Sequence, residues 1–415
     1  MTTPESRLPR YVTLIRHAET QANAALQWQG SMNAPMSQRG LDQVDRLRKR
    51  VAEWDPTRVV ASDLERTMIT ASVFGDVQPD PQWREFDVGA WEGMRSDEIR
   101  VQFPGQLEAL MAGEDVVLGG AERLSDFNVR IVDAFDSLVA SMDDGEEVVV
   151  VSHGGAIWAL ITHVLGQTGR SASLIPSHNT AVTRVRIDDD GTAQVSVFND
   201  GSHLDVLPTQ FGPEGSVVSV FRHGQTEGNV AGRWQGRSDS PLTELGLWQA
   251  EKAAQVSPTL DSLFTSPLGR TVATAEILGR PHDVTPTSDA GLIEMSFGSW
   301  ENMTTAEAAV ADPELFDEIY VRGIDAKRGG DGESFGDAGV RMLGAVANIA
   351  QSYNDAEIGV VSHGAAIRAY VTELVGLGFA DRNRFPIPRN SSMSRVIYDG
   401  DRAVLAGYNV APHLD

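Results

Sequence analysis

This chain carries one ordered series of segments twice, at a shift of about 205 to 211 residues. RHAETQAN (16–23) meets RHGQTEGN (222–229), and the WQG segments at 28 and 234 follow. SDLERTMITA (62–71) meets SPLGRTVATA (266–275), and EFDVGAWEGM (85–94) meets EMSFGSWENM (294–303). VVVSHGGAIWAL (149–160) meets GVVSHGAAIRAY (359–370), and FNDGSHL meets YNVAPHL at the two ends. A period this long excludes a solenoid of short stacked repeats, so the chain is read as two whole domains in tandem. Its 415 residues, 41% of them apolar, suit two cores better than one. The expected domains are 1–208 and 209–415. The Pro- and Gly-bearing stretch LPTQFGPEGS (207–216) reads as the linker between them.

Within each half, short apolar runs alternate with helix-compatible stretches. YVTLI, RVVAS and EVVVVS are near-continuous apolar runs, the mark of strands covered on both faces. The expected fold is α/β, a three-layer α/β/α domain with a mainly parallel sheet in each half. Such sheets bind ligands beyond the carboxyl ends of their strands. Arg16-His17, Ser62 and Ser152-His153 each follow a strand directly, so the three segments are expected to converge.

Composition narrows the partners. A formal charge of −24 repels nucleic acid and anionic lipid over most of the surface, leaving small molecules as the expected ligands. The first ten residues lack the apolar core of a signal peptide, and no apolar run is long enough to span a bilayer, which points to a cytoplasmic protein. There is no cysteine, so any nucleophile is another residue. Lysine occurs only at 49, 252 and 327, so an anionic ligand must be held by local clusters of arginine and histidine.

Local patterns suggest where those clusters lie. Ser62 with Glu65 reads as a capping box, and Ser266 with Pro267 as its counterpart, so a helix is expected to start there in both halves. Arg66 and Arg270 then fall on the first turn, where N–H groups already favour an anion. The glycines after His153 open a second helix start. Two guanidiniums and two imidazoles suit a phosphate monoester dianion better than a lone carboxylate. His17 is the candidate nucleophile, kept unprotonated by the positive charge around it. Glu85 is the candidate proton donor to the leaving alkoxide.

Arg16-His17, Arg66, Glu85 and His153 together resemble the histidine phosphatase superfamily, the phosphoglycerate mutase-like branch 1. Arg222-His223, Arg270, Glu294 and His363 resemble it a second time, and the likeness spans nearly the whole chain. It implies a phosphohistidine intermediate formed at His17 and at His223, phosphate pockets of Arg16, Arg66 and His153 and of Arg222, Arg270 and His363, and further phosphate contacts from Asn23 and Asn229. It implies small phosphate esters as substrates, and neither a metal nor a cofactor. Two departures stand out: Ala18 replaces the glycine after the first histidine, slightly crowding that turn, and Asn302 replaces the glycine of WEG. Segments associated with glycolytic mutases are absent, which favours hydrolysis. The alternatives are mutase-type transfer in one domain, or one domain serving only to bind a phospho-ligand.

Other residues receive plainer readings. His163, His178 and His282 have no histidine counterpart and read as structural or surface residues. His203 and His413 correspond and read as packing, and Trp28, Trp91, Trp234 and Trp300 as core or pocket wall. The stretch between the Glu motif and the last strand differs most between the halves. There the second half brings Arg322, Lys327 and Arg328 together. Facing the pocket, they would favour substrates with a second anionic group; the competing reading is a solvated surface cluster.

Overall fold

The computed structural model describes residues 8–167, 173–204 and 215–414. These fall into two compact units, one drawn from residues 1–171 and 176–208, the other from 172–175 and 209–415. Most of the expected linker, residues 207–214, lies outside the described residues, as do residues 1–7.

The sheet of the first unit contains β1 (Arg10–Arg16), β2 (Arg58–Ala61), β3 (Gln78–Pro79), β4 (Glu147–Ser152), β5 (Val182–Ile187) and β6 (Ala193–Asp200), in the order β3-β2-β4-β1-β5-β6. The first four of that order run parallel, and β5 and β6 complete the sheet antiparallel. The second unit repeats this with β7 (Ser216–Arg222), β8 (Ser262–Thr265), β9 (Thr287–Ser288), β10 (Glu357–Ser362), β11 (Met393–Asp399) and β12 (Arg402–Val410), in the order β9-β8-β10-β7-β11-β12. Each unit is thus the expected α/β/α domain with a mainly parallel sheet.

Strand periodicity assigns the two faces. Ile15, Val59, Ala61, Val149 and Val151 pack with Leu47 and Val51 near the end of helix Gln38–Arg50 and with Ala71 of helix Glu65–Ala71. Val12, Leu14, Val148 and Val150 alternate with them along the strands and are also fully buried. All of Val148–Val151 is fully buried. Burying one such side chain is worth roughly 1.5–3 kcal/mol, against about 1 kcal/mol for one hydrogen bond. Packing therefore anchors the end of β4 that carries Ser152 and His153.

Register brings the strand ends together. Arg16 pairs with Ser152 and Ala61 with Val151. The next residues stay in line, since the His17 N–H donates to the Ser152 carbonyl at 2.9 Å and the Ser62 N–H to that of Val151 at 3.0 Å. Arg222 and Ser362, and Thr265 and Val361, do the same in the second unit. The three segments converge in both units.

The capping boxes are not formed. The helices begin at Glu65 and Gly269, capped by Leu64 and Leu268 with no side-chain cap. The serines are drawn away by a histidine: Ser62 Oγ lies 2.9 Å from His153 Nε2, and Ser266 Oγ 2.8 Å from His363 Nε2.

Candidate active site

His17 is set by its own backbone. Its Nδ1 lies 2.8 Å from the Ala18 carbonyl oxygen, which can only accept. The proton therefore sits on Nδ1, leaving the Nε2 lone pair outward. Complete burial is the main force holding this imidazole well below its usual pKa, with the charges of Arg66 and Arg16 second and third. The expectation had named charge alone; desolvation is the larger cause. The His153 ring stands 5.2 Å away, tilted by 60°. There the tautomer is reversed: Arg66 Nε donates to His153 Nδ1 at 3.3 Å, so Nε2–H donates to Ser62 Oγ.

The arginines are fixed by carbonyls rather than by carboxylates. Arg66 Nη2 and Nη1 donate to Gly30 and Met32 at 2.6 and 2.9 Å. Arg16 Nη1 donates to Ser177 at 2.6 Å, and its guanidinium lies 3.3 Å from where a Cβ on Gly154 would stand. That puts Arg16 across the N-terminus of the helix after His153, adding charge to free N–H groups. Burial lowers the pKa of both, that of Arg66 to about 10, with Glu85 opposing the shift. Glu85 is docked on the same helix end, its Oε2 accepting the Gly155 N–H at 3.0 Å. Asn23 closes a capping box with Thr20, its Oδ1 accepting the Thr20 N–H at 3.1 Å.

The second unit rebuilds this arrangement. His223 Nδ1 lies 2.7 Å from the Gly224 carbonyl, its ring 5.3 Å from that of His363. Arg270 binds the Gly236 and Ser238 carbonyls at 2.8 and 2.7 Å and reaches His363 Nδ1 at 3.2 Å. Arg222 Nη1 donates to Pro388 at 2.7 Å, and burial, opposed by Glu294, takes its pKa down to about 10. Desolvation first, and the arginines after it, hold His223 and His363 well below the usual range. Asn229 caps Thr226 and also accepts from Asn390 Nδ2 at 3.2 Å. The expected arginines, histidines and glutamates gather into two clusters, one in each unit.

The sequence reading passed over the residues that hold these side chains. Glu92 accepts the N–H groups of Gly30, Ser31 and Met32, fixing the loop that holds Arg66. Arg130 binds Glu122 and the carbonyls of Gln82, Arg84 and Glu85, and Arg341 does the same around Glu294. Asn179 and Asn390 donate to the His17 and His223 carbonyls at 2.8 and 3.0 Å. Most of these recur in both halves, so the self-comparison that exposed the histidines carried their signal too.

The suspected cationic cluster breaks up. Arg322 is exposed and paired with Asp317 at 3.0 Å and Glu318 at 4.0 Å, and Lys327 is exposed; only Arg328 is buried. Asn302 occupies a left-handed position, φ 64°, where its counterpart Gly93 has φ 74°. Asn tolerates that region best after Gly, so this departure leaves the turn intact. Trp91 and Trp300 are fully buried core residues. Among the remaining histidines, His163 is exposed, His282 binds Ser257 Oγ at 2.9 Å, and buried His178 donates its backbone N–H to Asn199 Oδ1. His203 bridges Arg50 and Thr180.

Comparison with known proteins places the chain in a family. The family model of the histidine phosphatase superfamily (branch 1) matches residues 12–200 and again 218–411. The probable phosphoglycerate mutase GpmB of Yersinia pestis (strain Pestoides F) is 33% identical over 205 residues, covering 48% of this chain and 94% of that protein. Among solved structures, YhfR of Bacillus stearothermophilus is 27% identical, covering 48% of this chain and 100% of its own, with a TM-score of 0.45. A mycobacterial glucosyl-3-phosphoglycerate phosphatase is 30% identical, covering 47% of this chain and 98% of its own, with a TM-score of 0.42. The family match falls once on each half, and the chain belongs to the histidine phosphatase superfamily, branch 1.

Proposed function

We propose that each unit hydrolyses phosphate monoesters of small organic molecules through a phosphohistidine, giving two active sites per chain. The observation that carries this reading is the twice-built imidazole: Nδ1–H bound to a carbonyl, Nε2 free, and two arginines and a second histidine around it. The Nε2 lone pair attacks phosphorus as the ester P–O bond breaks. Glu85 or Glu294, protonated, gives its proton to the departing alkoxide. The carbonyl bound to Nδ1–H stabilises the positive charge that develops on the ring. Water then attacks phosphorus, losing a proton to the same carboxylate, as the P–N bond breaks and its electrons return to Nε2, and inorganic phosphate leaves. Arg16, Arg66 and His153, or Arg222, Arg270 and His363, neutralise the phosphoryl oxygens, with Asn23 and Asn229 as further phosphate contacts. On this reading no metal takes part.

The Yersinia pestis relative is named a mutase, which supports a second reading in which an alcohol rather than water accepts the phosphoryl group at one site.

The test is phosphoryl labelling with a ³²P-ester, quenched in base because a P–N bond is acid-labile. His17→Ala and His223→Ala should each keep the label of the other site, and the double variant should have none. Turnover at the altered site should fall by several orders of magnitude, since the covalent pathway itself is removed. A single substitution that abolished all label would refute two independent sites. Turnover that survives EDTA supports the metal-free mechanism, and radiolabel transferred to added glycerol rather than only to water would favour the mutase reading.

A further inference from the structure

A second group of positive charges lies beside the second site. Arg328 is 2% exposed, and its Nη1 donates to Asp325 Oδ1 and the Ala326 carbonyl, both at 2.7 Å. Its guanidinium stands 4.8 Å from the ring centre of Phe379, which Arg382 also approaches at 4.0 Å. Arg368 lies 5.5 Å from the ring of Phe335, within electrostatic reach of Tyr408, Arg382, Tyr320 and Arg328. Asp325 forms an ion pair with Arg328 alone among the three arginines, and it also accepts the N–H groups of Phe335 and Gly336. The Nε groups of Arg328 and Arg368 are buried and make no hydrogen bond among the described residues. Gathering like charges out of water is unfavourable unless an anion is shared between them.

The cluster is contiguous with the proposed phosphate pocket. Arg222 Nε lies 3.1 Å from the point where a Cβ on Gly364 would stand. Arg368 follows Gly364 by four residues in the same helix, Gly364–Leu374, so it occupies the same face about 6 Å further along the axis. Tyr408 interacts with both Arg222 and Arg368, and its hydroxyl is fixed by donating to the Pro386 carbonyl.

We propose that Arg328, Arg368 and Arg382 form an anion subsite of the second site, selecting phosphate esters that carry a second anionic group, a carboxylate or another phosphate. The proposal rests on the phosphate-ester reading of that site. The subsite is specific to the second unit. At the corresponding positions the first unit has Leu118, preceding the left-handed Gly119 as Arg328 precedes Gly329, and Trp158 where the second has Arg368. Phe198 stands where the second unit has Tyr408.

The experiment uses the full chain carrying His17→Ala, so that only the second site turns over. Two pairs of esters are compared: 3-phosphoglycerate with glycerol 3-phosphate, and propane-1,3-diol bisphosphate with its monophosphate. The first pair reads a carboxylate, the second a phosphate. At least one doubly anionic ester should be preferred by about ten- to a hundredfold in kcat/KM, through KM, as charge-assisted hydrogen bonds allow. Arg368→Leu should erase that preference and Arg368→Lys retain part of it. Arg382→Ala, at a half-exposed position, should reduce it without the folding risk of the buried sites. No preference in either pair, or a preference untouched by both Arg368→Leu and Arg382→Ala, overturns the proposal. If the chain turns over no ester, the phosphatase reading has failed. Calorimetric affinities for the same pairs, with and without Arg368→Leu, then decide the subsite alone: affinities for the doubly anionic esters that do not fall on substitution overturn it.

Discussion

The two units present the same candidate groups in different surroundings. His17 and His223, His153 and His363, Arg66 and Arg270 make matching hydrogen bonds to matching partners. A few residues away, the first unit has Leu118, Trp158 and Phe198 at the positions where the second has Arg328, Arg368 and Tyr408. These matching groups are the ones the proposed chemistry uses. What the units recognise is free to differ, because flanking positions need only fill space and satisfy their own polar groups. A smaller contrast touches the carboxylates. Glu85 docks on the N–H of Gly155, where a Cβ would stand 2.3 Å from its Oε1. The second unit has Ala365 there, and Glu294 has moved on to the Ala366 N–H at 2.8 Å, leaving that of Ala365 at 3.3 Å.

The largest effect expected from breaking this contrast is on the first site. Gly155→Ala should push Glu85 into the docking seen for Glu294 and lower first-site kcat by roughly tenfold, part of what a positioned general acid supplies. Measured in the His223→Ala chain, an unchanged kcat would mean that the two dockings are equivalent. Ala365→Gly in the His17→Ala chain is the reciprocal test and should change second-site kcat, since it opens the Gly155-like docking to Glu294.

A second contrast is steric. Ala18 is fully buried, with its N–H on Thr70 Oγ1 at 2.9 Å, so the first unit accommodates the methyl group that the sequence marked as a departure. In the second unit a Cβ on Gly224 would stand 2.3 Å from the Gly246 carbonyl oxygen, which belongs to a helix backbone. Gly224→Ala should therefore cost about 1–3 kcal/mol, as overpacking does. Ala18→Gly should cost less, about 0.4–1 kcal/mol, from unfolded-chain entropy. Thermal inactivation followed separately at each site checks this: equal losses in the two units would show that the helix in the second yields easily.

The mildest expected effect is on pH dependence. His17, His153, His223 and His363 are held well below 6.5 by burial, and His203 is brought down to about 3, chiefly by burial and then by Arg50. Their folded forms stay neutral while the unfolded chain takes up protons, so stability should fall as pH drops below about 6.5, by up to about 1.4 kcal/mol per pH unit for each group. Above that range these histidines should leave stability flat. His203→Gln, away from the reacting groups, should flatten the acid slope of denaturant unfolding by about one such contribution. An unchanged slope would place a proton on His203 in the folded state.

The sequence by itself determined the duplication, the α/β layering and the residues of both candidate sites. Reacting groups must recur with fixed neighbours, and apolar runs such as Val148–Val151 can satisfy their burial in few ways. It could not assign their partners. Whether Ser62 caps a helix or accepts a hydrogen bond from His153 depends on a strand some ninety residues away, and local pattern favoured the nearer option. Neighbours in sequence also suggested that Arg322, Lys327 and Arg328 act together. The tertiary structure separated them and set Arg328 beside Arg368 and Arg382, which come from distant segments. Folding decides such groupings because a guanidinium's electrostatic neighbours are those within a few ångströms in space, whatever their distance along the chain.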